Sequence, residues 1–220
     1  MPQPGKVVIN TAATRAADAN GIILGSWRSG LFSCFDSVVP NCVMTCCCPC
    51  VSLAQASHRV GIVRFRTMLC VTGVLMLGQY LSTFLNWYCP YALSQSMQAL
   101  SVEAMSPPEG MTLAQTVNWS SDVLRRAIDL ADQYDMARLA TATVSSLASI
   151  VIIVLVWVVR ARVRRKFSIP GSCCIDCMTS WCCTCCAIAQ IATHTTSYVE
   201  GDCQFGPRGV LPAYSPTKQP

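Results

Sequence analysis

The sequence predicts a mainly α-helical integral membrane protein, a transmembrane helical hairpin with two packed Cys-rich cytosolic arms. Three observations predict it. Asp, Glu, Lys and Arg make up only 12% of the 220 residues and apolar residues 52%, against roughly 25% charged in soluble globular proteins. Such a chain cannot cover its own surface in water. Two long stretches carry no charge at all, and one cysteine pattern occurs twice, once on either side of them.

Residues 1–26 lack an apolar run and read as a flexible N-terminal arm with no cleaved signal peptide. Met1-Pro2 is incompatible with N-myristoylation, which requires glycine second. The first Cys-rich arm occupies 27–66. No charge occurs between Arg66 and Glu103, and the apolar part of that gap, 67–85, is the first transmembrane helix. Residues 139–159 form the second, which contains Ile150-Val-Ile-Ile-Val-Leu-Val-Trp-Val-Val. Trp87, Tyr88 and Trp157 stand near the ends of these spans, where amphipathic rings prefer the interface.

The loop at 86–140 is expected to be irregular up to Pro107-Pro108 and helical from about 112. Thr112-Leu-Ala-Gln115 has the form of a capping box, and Asp122 can pair with Arg126 one turn on. No breaker intervenes before the second span, so one helix is expected to run from the loop into the membrane. The second Cys-rich arm occupies 160–205, and residues 206–220, with four prolines, form an expected disordered tail. Within that tail, Leu211-Pro-Ala-Tyr214 offers a candidate ligand for a proline-recognition domain.

Charge gives the orientation. Residues 1–66 hold six basic and two acidic side chains, 86–140 three and six, and 160–220 seven and three. Arg59, Arg64 and Arg66 precede the first span, and Arg160, Arg162, Arg164, Arg165 and Lys166 come after the second. Positive flanks are retained in the cytosol, so both termini are expected there, in the plasma membrane or an endomembrane. The Asn118-Trp119-Ser120 sequon at Asn118 then falls in the extracytosolic loop, where it can be glycosylated. The small, localised excess of base gives no reason to expect nucleic acid. The expected partners are the lipid bilayer and further copies of the chain, since one hairpin cannot enclose a path.

Cys42, Cys47, Cys48, Cys50, Ala54 and Gln55 recur as Cys177, Cys182, Cys183, Cys185, Ala189 and Gln190, each displaced by 135. Cys34-Phe-Asp36 and Cys174-Ile-Asp176 lie upstream of the two copies, His58 and His194 downstream. Fourteen of the 16 cysteines fall in the two arms, where a reducing cytosol points to metal, lipid or redox chemistry before structural disulfides.

With these motifs the chain resembles the cysteine-rich placenta-specific-eight family, which includes cornifelin-like, plant cadmium-resistance and cell-number-regulator proteins. The resemblance rests on Trp27-x2-Gly30-Leu-Phe-Ser-Cys34-Phe-Asp36, then Cys42, Cys48-Pro49-Cys50 and Gln55. It continues with Arg162-Val-Arg-Arg165-Lys-Phe167-Ser-Ile169-Pro-Gly171-Ser, Asp176-Cys177, Cys182-Cys183-Thr-Cys185-Cys186-Ala and Gln190. Family members usually join their arms by a short apolar link, whereas about 110 residues separate Cys50 from Arg162 here. The resemblance implies membrane association and, in various members, divalent-metal resistance, calcium entry or organ-size control.

On a continuous helix Cys46 or Cys47 shares a face with Cys50, Cys182 with Cys185 or Cys186, and Cys174 with Cys177. Two pairs, one from each arm, supply the four thiolates of a tetrahedral Zn²⁺ or Cd²⁺ site. The candidate ligands are Cys47, Cys48, Cys50, Cys182, Cys183 and Cys185, with Cys42, Cys177, His58 and His194 as further candidates. The expected cofactor is Zn or another soft divalent metal, serving metal tolerance, efflux or sensing. The spacing is not that of a zinc ribbon. The alternative is an S-acylated membrane scaffold or trafficking regulator, modified at Cys173, Cys174 and Cys177 beside the basic segment. Packing of cysteine as a small apolar residue explains some positions without either chemistry.

Residues 37–57 and 177–199 are free of formal charge, so either could also dip into the bilayer. In that case Asp36, Gln55, Asp176 and Gln190 would mark an ion path. Otherwise the glutamines cap helix ends and the aspartates start them. No nucleophile elbow, phosphate loop or metalloprotease helix is present, so no catalytic residue is assigned and no enzyme is expected.

Overall fold

Six α-helices build the described part of the chain, residues 17–36 and 38–212 of a computed structural model, and no strand occurs among these residues. The helices are α1 (Val43–Cys47), α2 (Pro49–Arg59), α3 (Phe65–Met105), α4 (Leu113–Lys166), α5 (Cys173–Cys182) and α6 (Thr184–His194). A 3₁₀ turn at Ser33–Asp36 and a tight turn at Val38–Cys42 lead into α1. The chain divides into two units: residues up to Thr72 together with those from Ile153 on, and residues 73–152 between them.

Unit 73–152 is an antiparallel helix pair. Gln79 pairs with Ser149, Thr141 Oγ1 donates to Asn86 Oδ1 at 3.2 Å, and Arg126 Nη2 lies 2.6 Å from Glu103 Oε1. These contacts step in opposite directions along the two helices. Val74, Leu77, Phe84, Leu147 and Ile150 are apolar and more than half exposed, as expected of residues that face lipid. Both long helices are apolar enough to cross a membrane.

Several expectations change here. The first helix does not end at 85 but runs to Met105, so residues 86–105 are helical and not irregular. Several of them (Ala92, Leu93, Gln95, Met97, Gln98, Leu100) are good helix formers. Glu103 near its end takes Arg126, so Arg126 does not pair with Asp122. α4 starts at Leu113 and continues unbroken to Lys166, as the sequence predicts. Only half of the capping box forms. Gln115 Oε1 accepts from the Thr112 amide at 2.9 Å, and the Thr112 hydroxyl also donates to it.

The other unit holds both arms. The repeat read in sequence is a repeat of structure: α2 and α6 are 11 residues each and correspond residue for residue at the displacement of 135. Each is preceded by a shorter helix bent sharply against it, by 110° in the first arm and 118° in the second. The breaks fall at equivalent cysteines, Cys48 (φ −133°, ψ 56°) and Cys183 (φ −146°, ψ 79°). Pro49 explains the first break, since its ring cannot continue a helix from α1. The second has no proline. One consequence corrects the ligand geometry: Cys47 and Cys50 lie on different helices, as do Cys182 and Cys185, so neither pair shares a helix face.

α2 and α6 pack against each other as the buried centre of this unit. Ala54, Ala56, Ala187, Ala189 and Ala192 are almost wholly buried, and such small side chains let two backbones approach closely. The ends expected to be flexible are partly ordered. Residues 17–26 form a turn around Asp18, which accepts from the amides of Asn20 and Ile22, and Ile22 is buried. Residues 206–211 are not free: Arg208 Nε donates to Ser197 O, the Leu211 amide donates to Arg59 O, and Leu211 is buried. Half of the candidate proline-recognition segment, from Ala213 on, lies outside the described residues.

Candidate functional site

The arms converge on a buried polar network at the end of α4. Arg160, whose side chain is 5% exposed, sets its Nε 3.3 Å from Asp176 Oδ1, donates from Nη1 to Gln190 Oε1 at 2.7 Å, and stacks 4.5 Å over the Trp27 ring. Arg164 Nε binds the other carboxylate oxygen of Asp176 at 2.6 Å, and its Nη1 donates to Gly171 O at 2.9 Å. Gly171 has φ +150°, and a Cβ there would meet Arg164 Cδ at 3.3 Å. The Arg, Gly and Asp of the second motif are thus one constellation. Ser172 Oγ, not Asp176, caps α5 by accepting from the Ile175 amide at 3.2 Å. Asp176 stands in the first turn of α5, as expected, but as a buried, doubly paired carboxylate.

The two repeated glutamines do not cap helix ends. Each sits mid-helix and pins a neighbouring segment of chain. Gln55 Nε2 donates to Gln204 O (2.6 Å) and Gly206 O (2.9 Å), and Gln190 Nε2 donates to Ser29 O at 2.8 Å. His194 is 1% exposed, between the rings of Trp27 and Phe167, with centroids at 5.2 and 4.9 Å. Its Nδ1 accepts from the Arg28 amide at 3.2 Å. Burial first, then the Arg28 charge, lower its pKa to about 4 against an opposing effect of Asp18. The ring is neutral at physiological pH.

The thiols form two groups. Around Cys42 stand Cys46 and Cys34, and both also stand beside Cys185 of the second arm. Burial, then Cys46 and Cys34, push the thiols of Cys42 and Cys185 above their ordinary value. Around Cys48 stand Cys50, Cys47 and Cys203, and burial followed by these neighbours raises Cys48 as well. The six principal ligand candidates are therefore divided. Cys47, Cys48 and Cys50 belong to the second group and Cys185 to the first. Cys182 is exposed, and Cys183 is joined to Cys186 in a disulfide, a departure from the expectation of free thiols throughout. Of the further candidates, Cys177 is half-buried on α5, His58 lies against Phe65 at 6.4 Å, and His194 is enclosed by aromatic rings. Cys173 and Cys174 are exposed at the start of α5, and Asn118 is exposed on α4. The side chain of Asp36 lies outside the described residues.

Among the described residues no three Cys, His, Asp or Glu side chains converge as a preformed metal site. The donor chemistry nonetheless suits a soft metal: four neighbouring sulfurs, drawn from both arms. The sequence did not single out Cys34 or Cys203 as donors, because neither belongs to the repeated spacing. It missed Arg160 too, although Asn41 and Asp176, displaced by 135, flag the position that faces it as special.

The sequence profile described as the PLAC8 family matches residues 27–194, from Trp27 to His194 of the network above. No curated protein and no solved structure matches.

Proposed function

The chain belongs to the PLAC8 family, and from that premise we propose that it binds a soft divalent metal, Zn²⁺ or Cd²⁺, at the membrane in metal tolerance, efflux or sensing. The supporting observation is the neighbourhood of Cys34, Cys42 and Cys46 in one arm and Cys185 in the other. Four thiolates are what a tetrahedral site for such a metal takes. Binding draws these side chains together and replaces protons held on thiols of raised pKa, so affinity increases with pH. The metal when bound supplies a cross-link between the arms. Arg160, Asp176 and Gln190 hold the helices that carry the sulfurs. Both termini are taken to be cytosolic, and efflux requires several copies.

The test is a titration of the full chain with Cd²⁺ in detergent under reducing conditions, monitored by the ultraviolet band of cadmium thiolate. The band grows to a defined stoichiometry in the wild type and is lost in the Cys34→Ser, Cys185→Ser variant. An unchanged band in that variant contradicts the site.

A second reading is favoured by the exposure of Cys173 and Cys174 directly beyond the basic end of α4. There the protein is an S-acylated scaffold. Hydroxylamine-sensitive acyl labelling without bound metal selects it.

A further inference from the structure

The first helix of each arm is inside out. On α5 the buried side chains are Asp176 and Ser180, while Ile175, Met178 and Trp181 are 58%, 52% and 65% exposed. Residues 38–47 repeat this at the same displacement of 135. Asn41 and Thr45, equivalent to Asp176 and Ser180, are buried along with Pro40 and Met44, while Val38, Val39, Val43 and Cys46 are exposed, the last two equivalent to Met178 and Trp181. A helix bordered by water turns its apolar stripe inward. Two helices that do the reverse, in register, have an apolar neighbour on the outside.

Position identifies that neighbour. Trp157, within the second apolar span, donates from Nε1 to Cys173 O at 3.2 Å, so α5 begins at the depth of the span's last turn. Gln190 meets Arg160, and one turn on His194 meets Phe167. α6 therefore runs in the same sense as the end of α4, and its start at Cys183 points back toward the span. No outward formal charge interrupts either short helix. Each bent pair taken together is apolar enough for a membrane segment. Arg64, Arg66, Arg162 and Arg165 stand nearby in sequence on α3 and α4 or just before α3, suited to lipid phosphates.

We propose that the lipid bilayer covers this surface: residues 38–47 and 173–182 are two interfacial wedges whose apolar outer faces lie among acyl chains of the leaflet next to the basic helix ends. The inference rests on the membrane reading of α3 and α4. It makes the arms part of the membrane domain, with the buried polar side chains turned inward, Asp176 to α4 and Asn41 to α6, and the exposed thiols of Cys47 and Cys182 facing lipid.

The test places the photoreactive residue p-benzoylphenylalanine singly at Val43, Met178, Val74 or Glu200 of the full chain in phospholipid nanodiscs. Adducts are identified by mass spectrometry after irradiation. Val74 reports the span and Glu200 an exposed loop. Phospholipid adducts at Val43 and Met178 are expected within about threefold of the Val74 yield and about tenfold above Glu200. Yields like those of Glu200, or cross-links to a second copy, overturn the proposal while Val74 still labels. No lipid adduct at Val74 overturns the membrane reading and the proposal with it. Independently, brominated phosphatidylcholine should quench the Trp181 emission, obtained by difference from Trp181→Phe, by about half or more. An unquenched Trp181 contradicts the wedge in the second arm.

Discussion

Replacing Asp176 by Asn removes one charge and almost no volume, so the damage it does is electrostatic. The carboxylate meets Arg160 at 3.3 Å and Arg164 at 2.6 Å, with 2% of its side chain exposed. At an effective dielectric constant near 20 each contact is worth about 5–6 kcal/mol gross. Desolvating the three ions takes back several kcal/mol apiece, so the intact triad stabilises only modestly. Removing one partner is different, because two guanidinium groups are left without their counter-charge: the cost is about 3–5 kcal/mol. At about 2–4 °C per kcal/mol for a protein of this size, the melting temperature of the purified protein in detergent should fall by roughly 6–20 °C. Asp202→Asn is the control, since among the described residues that exposed carboxylate accepts only from Gln204, and it should leave the melting temperature unchanged. A shift for Asp176→Asn no larger than the control would show that the triad does not hold the arms. In the first arm the equivalent position is held by an uncharged Asn41, which donates to Ala189 O and Thr193 Oγ1.

His194 makes the arms acid-sensitive. Its folded pKa of about 4 lies below the ordinary 6.5, so below pH 6.5 the unfolded chain takes up a proton that the folded chain refuses. Stability present at neutral pH is lost toward pH 4, at about 1.4 kcal/mol per unit and about 3 kcal/mol in all. Urea midpoints measured at pH 7 and pH 5 should show this decline in the wild type and a smaller one in His194→Gln. Gln55→Ala should release residues 204–211, read as faster proteolytic cleavage there with the rest of the protein intact. Arg126→Ala breaks only an exposed pair and should cost less than about 1 kcal/mol in the same unfolding assay.

Charge-free length made the two spans legible, and identical spacing made the two arms legible, because both are local properties of sequence. The family came from the second. The features that stayed hidden depend on tertiary contacts. The break at Cys183 has no proline to announce it, and only its likeness to Cys48 reveals it. Residues 86–105 read as loop because the continuous apolar run stops before them and Pro107-Pro108 follows, yet they continue the helix beside α4. Cys34 and Cys203 are brought to the other thiols by turns that no spacing encodes. Burial of Asp176 between two arginines from a neighbouring helix was equally beyond a reading of helix starts. The polarity of α5 was visible in Ile175, Met178 and Trp181, but it could be read as inverted only once Asp176 and Ser180 were seen to face inward.

Joint binding of a soft metal by the two arms can be tested without any transport assay. The metal content of the full chain, purified gently under reducing conditions, is measured by elemental mass spectrometry. It is compared with that of a Cys46→Ser, Cys185→Ser variant of matching melting temperature. A site shared by the arms predicts about one zinc or more per chain in the wild type and its loss in the variant. Metal-free wild-type protein with its fold intact would contradict it.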